Sequence, residues 1–209
     1  MNSSTVGLIV LAAGASTRMG TPKQLLTYRG CSLIRHITEV AISSVCQPIV
    51  VVLGANSERI QPEVSQLPVH IVENQQWEVG MSSSIRVGLQ ALLAMNPSLE
   101  AVAIALCDQP FVSSQTLDRI IEAYRVTGQP IIASEYAGTL GVPALFSHTL
   151  FSDLIALKST EGAKKLIKKH IQQVLTVPFP EGEVDIDTPN DYEQFQTLVE
   201  YPPFRFSTS

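Results

Sequence analysis

The stretch VGLIVLAAGASTRMG, residues 6–20, decides the fold of this 209-residue chain. Its first half, residues 6–12, is an apolar run, which is typical of a strand buried on both faces of a parallel sheet. Its second half is rich in small residues and carries Arg18. In open α/β sheets, ligands bind in the crevice outside the carboxyl ends of the strands. The stretch therefore predicts a ligand-binding loop at such an end.

Outward from this strand, apolar segments of strand length alternate with segments of helical period. The predicted strands are 6–12, 48–53, 69–72, 101–105 and 130–134. The predicted helices are 32–43, 57–66, 82–95 and 113–127. This alternation predicts an α/β fold of three layers, with a mostly parallel, doubly wound (Rossmann-like) sheet between two layers of helices.

The periodicity weakens after residue 134, where Gly138, Gly141 and Pro143 predict turns. Beyond them, the pattern predicts helices at 150–157 and 162–169, a strand at 173–177 and a last helix at 188–200. Pro189 fits the first turn of that last helix. Because the chain shows no repeat and no linker, we predict a single domain over 1–200 and a C-terminal tail over 201–209.

The composition excludes several classes of protein. With 45% apolar residues, 16% charged residues and a mean hydropathy of +0.19, the chain is not intrinsically disordered. Its net charge of −5 does not favour nucleic acid or an anionic membrane as a partner. The sequence has no apolar run of membrane-spanning length and no basic signal-peptide segment. Three cysteines without a CxxC pair predict reduced thiols in a cytoplasmic protein.

The loop after the first strand has the chemistry of an anion site. Its alanines, glycines and serines let backbone N–H groups approach an anion, and Arg18 and Lys23 add two cations. Such a set of groups suits a triphosphate. The loop lacks both the GK[ST] of a P-loop and the GxGxxG of dinucleotide-binding folds. The alternative interpretation is a tight strand-to-helix turn with two solvated basic residues.

Three aspartates are candidate metal ligands. Asp108 follows the predicted strand 101–105, and Mg²⁺ binds proteins through one or two carboxylates plus substrate phosphates. Asp108 could instead cap the turn that contains Pro110. Asp185 and Asp187 are two residues apart, so they share one side of an extended segment. Spacing alone does not decide which of them is the second metal ligand. Asp187 could alternatively cap the last helix.

A fourth candidate segment spans residues 74–84, where Gly80 precedes a cluster of serines that includes Ser84. Its backbone and hydroxyl groups could bind a nucleobase edge or an anion, and plain helix capping is the alternative. Cys107 is better explained as a small buried hydrophobe than as a nucleophile, because no histidine lies near it in sequence. The four histidines lack metal-ligand spacing.

Taken together, these segments resemble the MobA-like nucleotidyltransferases, and most closely their molybdenum cofactor cytidylyltransferase branch. The motifs that carry the resemblance are LAAGASTRMGTPKQLL at 11–26, ENQQWEVGMSSSIRVGL at 73–89, LCDQPFVSSQTL at 106–117 and DIDTPND at 185–191. The resemblance implies a fold like that of the nucleotide-diphospho-sugar transferases and the transfer of a nucleotidyl group.

The resemblance also implies a role for individual residues. The implied nucleotide-binding residues are Leu11, Ala12, Ala13, Gly14, Arg18, Lys23, Gly80 and Ser84. Arg18, Lys23 and Asp108 are the implied catalytic residues, of which the two cations bind the phosphates and stabilise the departing pyrophosphate. Asp108 and Asp187 are the implied ligands of Mg²⁺. The first motif reads LAAG rather than LAGG, which favours CTP as the nucleotide.

The implied acceptor is the terminal phosphate of molybdopterin, with a molybdenum hydroxylase as a possible client. Two stretches depart from the family pattern: Val142 stands where the family commonly has His or Asn, and Ser159-Thr160 stands where it has Gly-Asp. Both lie in the half that the family uses for the acceptor. The alternatives are therefore transfer to another phosphorylated small molecule, and a non-catalytic carrier of the molybdenum cofactor.

Overall fold

The computed structural model describes residues 5–159 and 161–200. The strands are β1 Val6–Leu11, β2 Thr27–Tyr28, β3 Cys31–Ser32, β4 Ile49–Leu53, β5 His70–Glu73, β6 Ala101–Leu106, β7 Ile131–Tyr136, β8 Thr139–Ser147 and β9 Val174–Pro178. The α-helices are α1 Leu33–Ile42, α2 Ser57–Ile60, α3 Met81–Met95, α4 Ser114–Thr127, α5 Phe151–Ile155, α6 Ala163–Lys169 and α7 Pro189–Glu200. The predicted tail 201–209 lies outside the described residues.

Within the described residues, seven strands form the main sheet in the order β5-β4-β1-β6-β8-β7-β9. The pairs among β5, β4, β1 and β6 are parallel, and so is the β7–β9 pair. Strand β8 runs antiparallel to both of its neighbours. The sheet is thus mostly parallel, as the alternation of strands and helices predicted.

Successive side chains of β1 enter opposite layers, as a strand buried on both faces requires. Leu8 and Val10 pack in one apolar cluster with residues of α1 and α4. Ile9 and Leu11 pack in a second cluster with residues of α3, α5 and α6. These two clusters cover the two faces of the sheet, which confirms the three-layer α/β/α fold.

Strand β8 was missed by the sequence pattern, which predicted only turns at Gly138, Gly141 and Pro143. Gly138 lies in the tight turn between β7 and β8, where Ala137 and Gly138 both have positive φ. Gly141 and Pro143 lie inside β8. The pairing of β7 with β8 shifts register there, because Val142 and Pro143 form a bulge. A bulge is one of the few positions in a sheet that tolerates proline.

The predicted helix 57–66 was too long. It is α-helical only over Ser57–Ile60 and continues as a single 3-10 turn over Gln61–Glu63. Pro62 lies in that turn, since proline lacks the N–H that an α-helix interior would need.

Candidate active site

A cavity of about 340 Å³ lies at the carboxyl ends of β1 and β6. Eight residues predicted from the sequence line it: Leu11, Ala12, Ala13, Gly14, Lys23, Gly80, Ser84 and Asp108. The lining also includes Trp77, Met81 and Cys107. Residues from three distant parts of the chain therefore meet where open α/β sheets bind their ligands. We call this space the first cavity.

The loop that follows β1 is held in shape by a buried glutamine, Gln24. Its side-chain amide donates hydrogen bonds to the backbone carbonyls of Ala12 (2.9 Å) and Gly14 (2.8 Å). Ser16, which has a φ of 55°, accepts a hydrogen bond from the backbone N–H of Lys23 at 3.0 Å. Sequence reasoning assigned no role to Gln24, because the burial of its side chain is created only by the tertiary fold.

The same loop leaves backbone donors unused. Among the described residues, no acceptor meets the backbone N–H groups of Gly14 and Ala15. Both residues line the first cavity. Free N–H groups on a tight loop form an anion-binding concavity, so the loop suits phosphate oxygens.

Lys23 lies between two carboxylates at the edge of this cavity. Its Nζ donates hydrogen bonds to Asp108 Oδ2 and, at 2.8 Å, to Asp187 Oδ1. Burial alone would lower the pKa of Lys23, but the charge of Asp108 and the hydrogen bonds to both aspartates outweigh it and raise the pKa. Lys23 is therefore a permanent cation at neutral pH.

Arg18 extends this cluster toward solvent. Its guanidinium donates a 2.6 Å hydrogen bond to Asp187 Oδ2, and its side chain is 69% exposed. Neither Arg18 nor Asp187 is among the residues that line the first cavity. The structure thus joins the predicted cations and carboxylates in one chain of contacts that runs from the cavity to the surface.

The segment around Ile186 positions the second aspartate. Ile186 donates its backbone N–H to the carbonyl of Asp108 at 3.1 Å. Its side chain is fully buried in a cluster with Met19, Tyr28, Leu33 and Phe195. Because successive side chains of an extended segment alternate in direction, this anchor turns the carboxylates on either side of Ile186 away from the cluster.

Asp185 and Asp187 differ in their surroundings. Burial alone would raise the pKa of Asp187, but Lys23 and then Arg18 outweigh it and lower the pKa. The pKa of Asp185 is raised by burial and by the charges of Asp187 and Asp108. Asp187 therefore shares the cation cluster with Asp108, whereas Asp185 lines a neighbouring, larger cavity.

The alternative that Asp187 caps the last helix is not what the structure contains. The carboxylate of Asp191 accepts the backbone N–H groups of Asp187 (3.1 Å) and Thr188 (2.7 Å). Asp191 in turn donates its backbone N–H to Thr188 Oγ1 at 3.2 Å. Thr188 and Asp191 form a reciprocal cap of the capping-box type, which leaves the Asp187 carboxylate for the cation cluster.

The donor set around Asp108 fits a hard divalent cation bound jointly with a substrate. Asp108 Oδ1 is buried and has no hydrogen-bond partner among the described residues. Across residues 5–159 and 161–200, no group of three or more His, Cys, Asp or Glu side chains could hold a metal ion. Two carboxylates suffice for Mg²⁺ only where substrate phosphates and waters complete its octahedron.

A buried asparagine orients the serine cluster. Asn74 donates from Nδ2 to Ser83 Oγ (2.8 Å) and Ser84 Oγ (2.9 Å), and its Oδ1 accepts the backbone N–H of Gln76 at 3.0 Å. Gly80 is the N-cap residue of α3, and no serine side chain caps the helix, so plain helix capping accounts for Gly80 but not for the serines. Sequence reasoning gave Asn74 no role of its own, since burial of its side chain is a tertiary property.

Gly80 is at a position that only glycine fits. Its φ is 118°, and a Cβ there would overlap the backbone carbonyl of Ser159. Gly80 lines the first cavity and also the larger one beside it. The backbone of Ser159, part of one departure from the family pattern, thus touches the segment that was predicted to bind the nucleotide.

Cys107 has the character of a buried hydrophobe. Burial raises the pKa of its thiol to about 12, so the thiol is protonated at neutral pH. A protonated, buried thiol is a poor nucleophile. The structure gives Cys107 a packing role in the wall of the first cavity.

The second cavity, of about 840 Å³, adjoins the first and shares Gly80, Met81 and Leu106 with it. Its lining includes the two departing positions Val142 and Ser159. Thr160, the other residue of the second departure, lies outside the described residues. The stretches that differ from the family pattern therefore border the second cavity.

Comparison with known proteins places these features among nucleotidyltransferases. A family model described as the MobA-like NTP transferase domain matches residues 8–174. The crystal structure of Rv0371c from Mycobacterium tuberculosis H37Rv has a TM-score of 0.80 at 30% identity, covering 94% of this chain and 100% of that one. The structure of Rv0371c in complex with manganese has a TM-score of 0.72 at 29% identity, covering 94% of this chain and 99% of that one.

Two curated relatives match over part of their length. Nicotine blue oxidoreductase of Paenarthrobacter nicotinovorans is 38% identical over 118 residues, which cover 56% of this chain and 56% of that protein. Bifunctional protein GlmU of Mycobacterium ulcerans (strain Agy99) is 34% identical over 131 residues, which cover 59% of this chain and 26% of that protein. The chain thus spans about half of one relative and about a quarter of the other.

The structure also bears on membrane association. In the part of the chain that it describes, no helix is both long enough and apolar enough to cross a bilayer.

Proposed function

Because the chain belongs to the MobA-like NTP transferase family, we propose that it transfers CMP from CTP to the terminal phosphate of molybdopterin and releases pyrophosphate. The observation that carries the proposal is the contact of Lys23 with Asp108 and Asp187 beside the loop of Gly14. A buried cation, two carboxylates and free backbone donors are the groups that a metal-bound triphosphate requires.

In this proposal, a phosphate oxygen of the acceptor attacks the α-phosphorus of CTP in line with the bond to the β-phosphate. The new P–O bond forms as the α–β P–O bond breaks, and the electron pair of the broken bond leaves with pyrophosphate. Negative charge spreads over the equatorial oxygens and the leaving group. In this proposal Lys23 and Arg18 offset that charge, so positioning and electrostatics supply the acceleration.

No side chain is assigned as a covalent nucleophile. Cys107 is protonated in the wall of the cavity, and Ser84 accepts a hydrogen bond from Asn74. Among the described hydrogen bonds, neither side chain is joined to a carboxylate or an imidazole that could act as a general base. We therefore infer a single displacement without an enzyme-bound nucleotidyl intermediate.

We propose Asp108 and Asp187 as the residues that hold Mg²⁺ together with the triphosphate. A bound divalent cation would neutralise charge on the phosphate oxygens. Two observations support this: the unpartnered Asp108 Oδ1, and the manganese complex of Rv0371c, a relative at 29% identity. Asp185 is assigned to the acceptor side, because it lines the second cavity rather than the cation cluster.

We propose CTP as the nucleotide because the first motif has the form LAAG at residues 11–14. Molybdopterin is proposed on the resemblance of all four motifs to the cytidylyltransferase branch. A molybdenum hydroxylase that receives the product is the proposed client.

The test is pyrophosphate release with Mg²⁺, purified molybdopterin, and CTP, GTP, ATP or UTP in parallel. We expect release that requires the acceptor and is fastest with CTP. Release that requires a different phosphorylated acceptor would replace molybdopterin in the proposal. No release with any nucleotide, while the protein binds molybdopterin, would favour a carrier of the cofactor and contradict the proposed catalysis.

A second candidate, oxidoreductase chemistry, is favoured by one observation, the 38% identity to nicotine blue oxidoreductase over 118 residues. The same preparation should be tested for reduction of the dye nicotine blue by an added reductant. Dye reduction without any pyrophosphate release would favour this second candidate. We expect pyrophosphate release without dye reduction.

A further inference from the structure

The floor of the second cavity contains a buried amide whose oxygen has no partner. Gln109 is only 4% exposed, and it lines this cavity. Its Nε2 donates a hydrogen bond to the backbone carbonyl of Gly182 at 3.3 Å. That bond fixes which end of the amide is which, since the reverse orientation would set two acceptor oxygens against each other. Gln109 Oε1 is buried and has no hydrogen-bond partner among the described residues.

A tyrosine hydroxyl lies next to that amide. The side chains of Gln109 and Tyr136 are within interaction distance. The Tyr136 hydroxyl also lies against Gly141, so closely that a Cβ at position 141 would overlap it. The tyrosine ring packs edge-on against Phe179, with 6.3 Å between ring centroids. Packing on these sides holds the hydroxyl at the floor of the cavity.

The walls of the second cavity combine apolar side chains with the charged residues Glu161, Lys164, Glu183 and Asp185. Val79 is 47% exposed and Met81 is 45% exposed, and both line the cavity. Val142 projects from the bulge of β8 and also lines it. A flat ring between such walls would bury apolar surface on both of its faces while its edge reached the polar floor. A sugar ring is not flat, so it would bury less apolar surface against these side chains.

We propose that Gln109 and Tyr136 recognise the acceptor through the edge of a flat heterocycle that presents an N–H donor beside a carbonyl. Gln109 Oε1 accepts the hydrogen bond of the N–H group, and the Tyr136 hydroxyl donates to the neighbouring carbonyl. The inference rests on the proposed function, because a pterin has such a lactam edge. The two cavities share Gly80, Met81 and Leu106, so a phosphate attached to this ring can reach the first cavity.

The test measures binding of 6-hydroxymethylpterin, a pterin without a phosphate, to the full chain by isothermal titration. We expect Gln109→Leu to weaken binding by about tenfold or more, because it removes the acceptor at nearly constant volume. Gln115→Leu is the matched control, since Gln115 is exposed on α4 and away from this cavity. It should bind like the wild type.

A second variant covers the case in which Gln109→Leu fails to fold. Tyr136→Phe removes only the hydroxyl, and we expect it to weaken pterin binding by about threefold to tenfold. Glucose 1-phosphate, offered in the same titration, should bind no better to the wild type than to either variant. Stabilisation of each variant by CTP against heat verifies that the first cavity is intact.

The outcomes separate this inference from the proposed function. Equal pterin affinity in wild type, Gln109→Leu and Tyr136→Phe would overturn the inference. So would absence of pterin binding in a wild type that releases pyrophosphate with molybdopterin, and the proposed function would then stand alone. Pterin binding that depends on Gln109, without any pyrophosphate release, would keep the inference and overturn the proposed catalysis.

Discussion

Lys23 is the residue on which the charge balance of the site depends. It is 14% exposed and contacts Asp108, which is 15% exposed, and Asp187. An ion pair with this little water around it is screened far less than one at the surface. With a triphosphate in the first cavity, the same ammonium would be available to oxygens whose charge grows in the transition state.

Replacing Lys23 should lower turnover and, because it leaves Asp108 and Asp187 without their shared cation, should also lower the stability of the fold. We expect Lys23→Ala to lower turnover by roughly 10²-fold or more, about 2.7 kcal/mol, by analogy with the loss of one oxyanion-hole donor. Lys168→Ala is the matched control, because Lys168 is exposed on α6. Turnover is measured as pyrophosphate release, and circular dichroism verifies the fold. A loss below about threefold in a folded variant would remove Lys23 from the chemistry.

Replacement of each of the two aspartates that flank Ile186 should shift the Tm at neutral pH, and the two shifts should have opposite signs. Asp185 has a pKa raised above its ordinary 3.8 by burial and by the charges of Asp187 and Asp108. Its ionised form is thus disfavoured in the folded state, and Asp185→Asn should raise the Tm at about pH 7. As the pH falls through the folded pKa toward 3.8, the folded carboxyl takes up its proton and this gain disappears.

Asp187→Asn is the opposite case. The pKa of Asp187 is lowered because Lys23 and Arg18 outweigh burial, so its ionised form stabilises the fold. We expect Asp187→Asn to lower the Tm at neutral pH. That loss is present above the unfolded pKa and disappears as the pH falls through the folded pKa, below 3.8. Thermal unfolding of both variants across this range is the measurement, and shifts of the same sign would contradict the assigned surroundings.

At the scale of elements, the start of α3 couples the two cavities. Gly80 precedes α3, lines both cavities and lies against the backbone of Ser159. A side chain at this position must move the 159 backbone or the start of the helix. Either movement alters the lining of the first cavity, so a stability effect and a binding effect should appear together.

A pair of glycine variants compares Gly80 with a left-handed glycine that has open space around it. Gly128 ends α4 with a φ of 64°, and a Cβ there would have no neighbour within 4 Å. Gly128→Ala should cost about 1 kcal/mol of unfolding free energy for the left-handed conformation alone. Gly80→Ala should cost more, about 2–4 kcal/mol, because its backbone (φ 118°, ψ −179°) is nearly restricted to glycine and the added Cβ overlaps Ser159; it should also weaken CTP binding. Urea unfolding and titration with CTP measure both effects. Equal losses of unfolding free energy in the two variants would mean that the contact with Ser159 adds no cost.

The elements themselves were predictable where the chain is simple. Strands β1, β4 and β6 are continuous apolar runs, and the sequence pattern placed each within two residues of its observed bounds. Strand β8 was not predictable, because its bulge at Val142 and Pro143 imitates a turn in the sequence.

The site was predictable where charged residues follow a strand. Gln24 and Asn74 were missed, since their roles depend on burial that only the tertiary fold creates.

At the scale of the whole molecule, the two halves of the sheet border different cavities. The parallel half supplies the ends of β1 and β6 to the first cavity. The half that contains the antiparallel β8 supplies the β7–β8 hairpin to the second. The nucleotide and the acceptor are thus proposed to meet where the halves join, near Gly80 and Leu106. In this proposal, the departures at Val142 and Ser159 border the acceptor side, and the motifs at 11–26 border the nucleotide side.

The central claim is that the α-phosphate of a nucleotide moves to the acceptor. The most direct measurement follows label from CTP labelled at either the α- or the γ-phosphate, with Mg²⁺ and molybdopterin present. We predict that all acceptor-dependent α-label appears on the acceptor and all γ-label in pyrophosphate. Release of γ-label as orthophosphate, or its transfer to the acceptor, would show hydrolysis or kinase chemistry and contradict the claim.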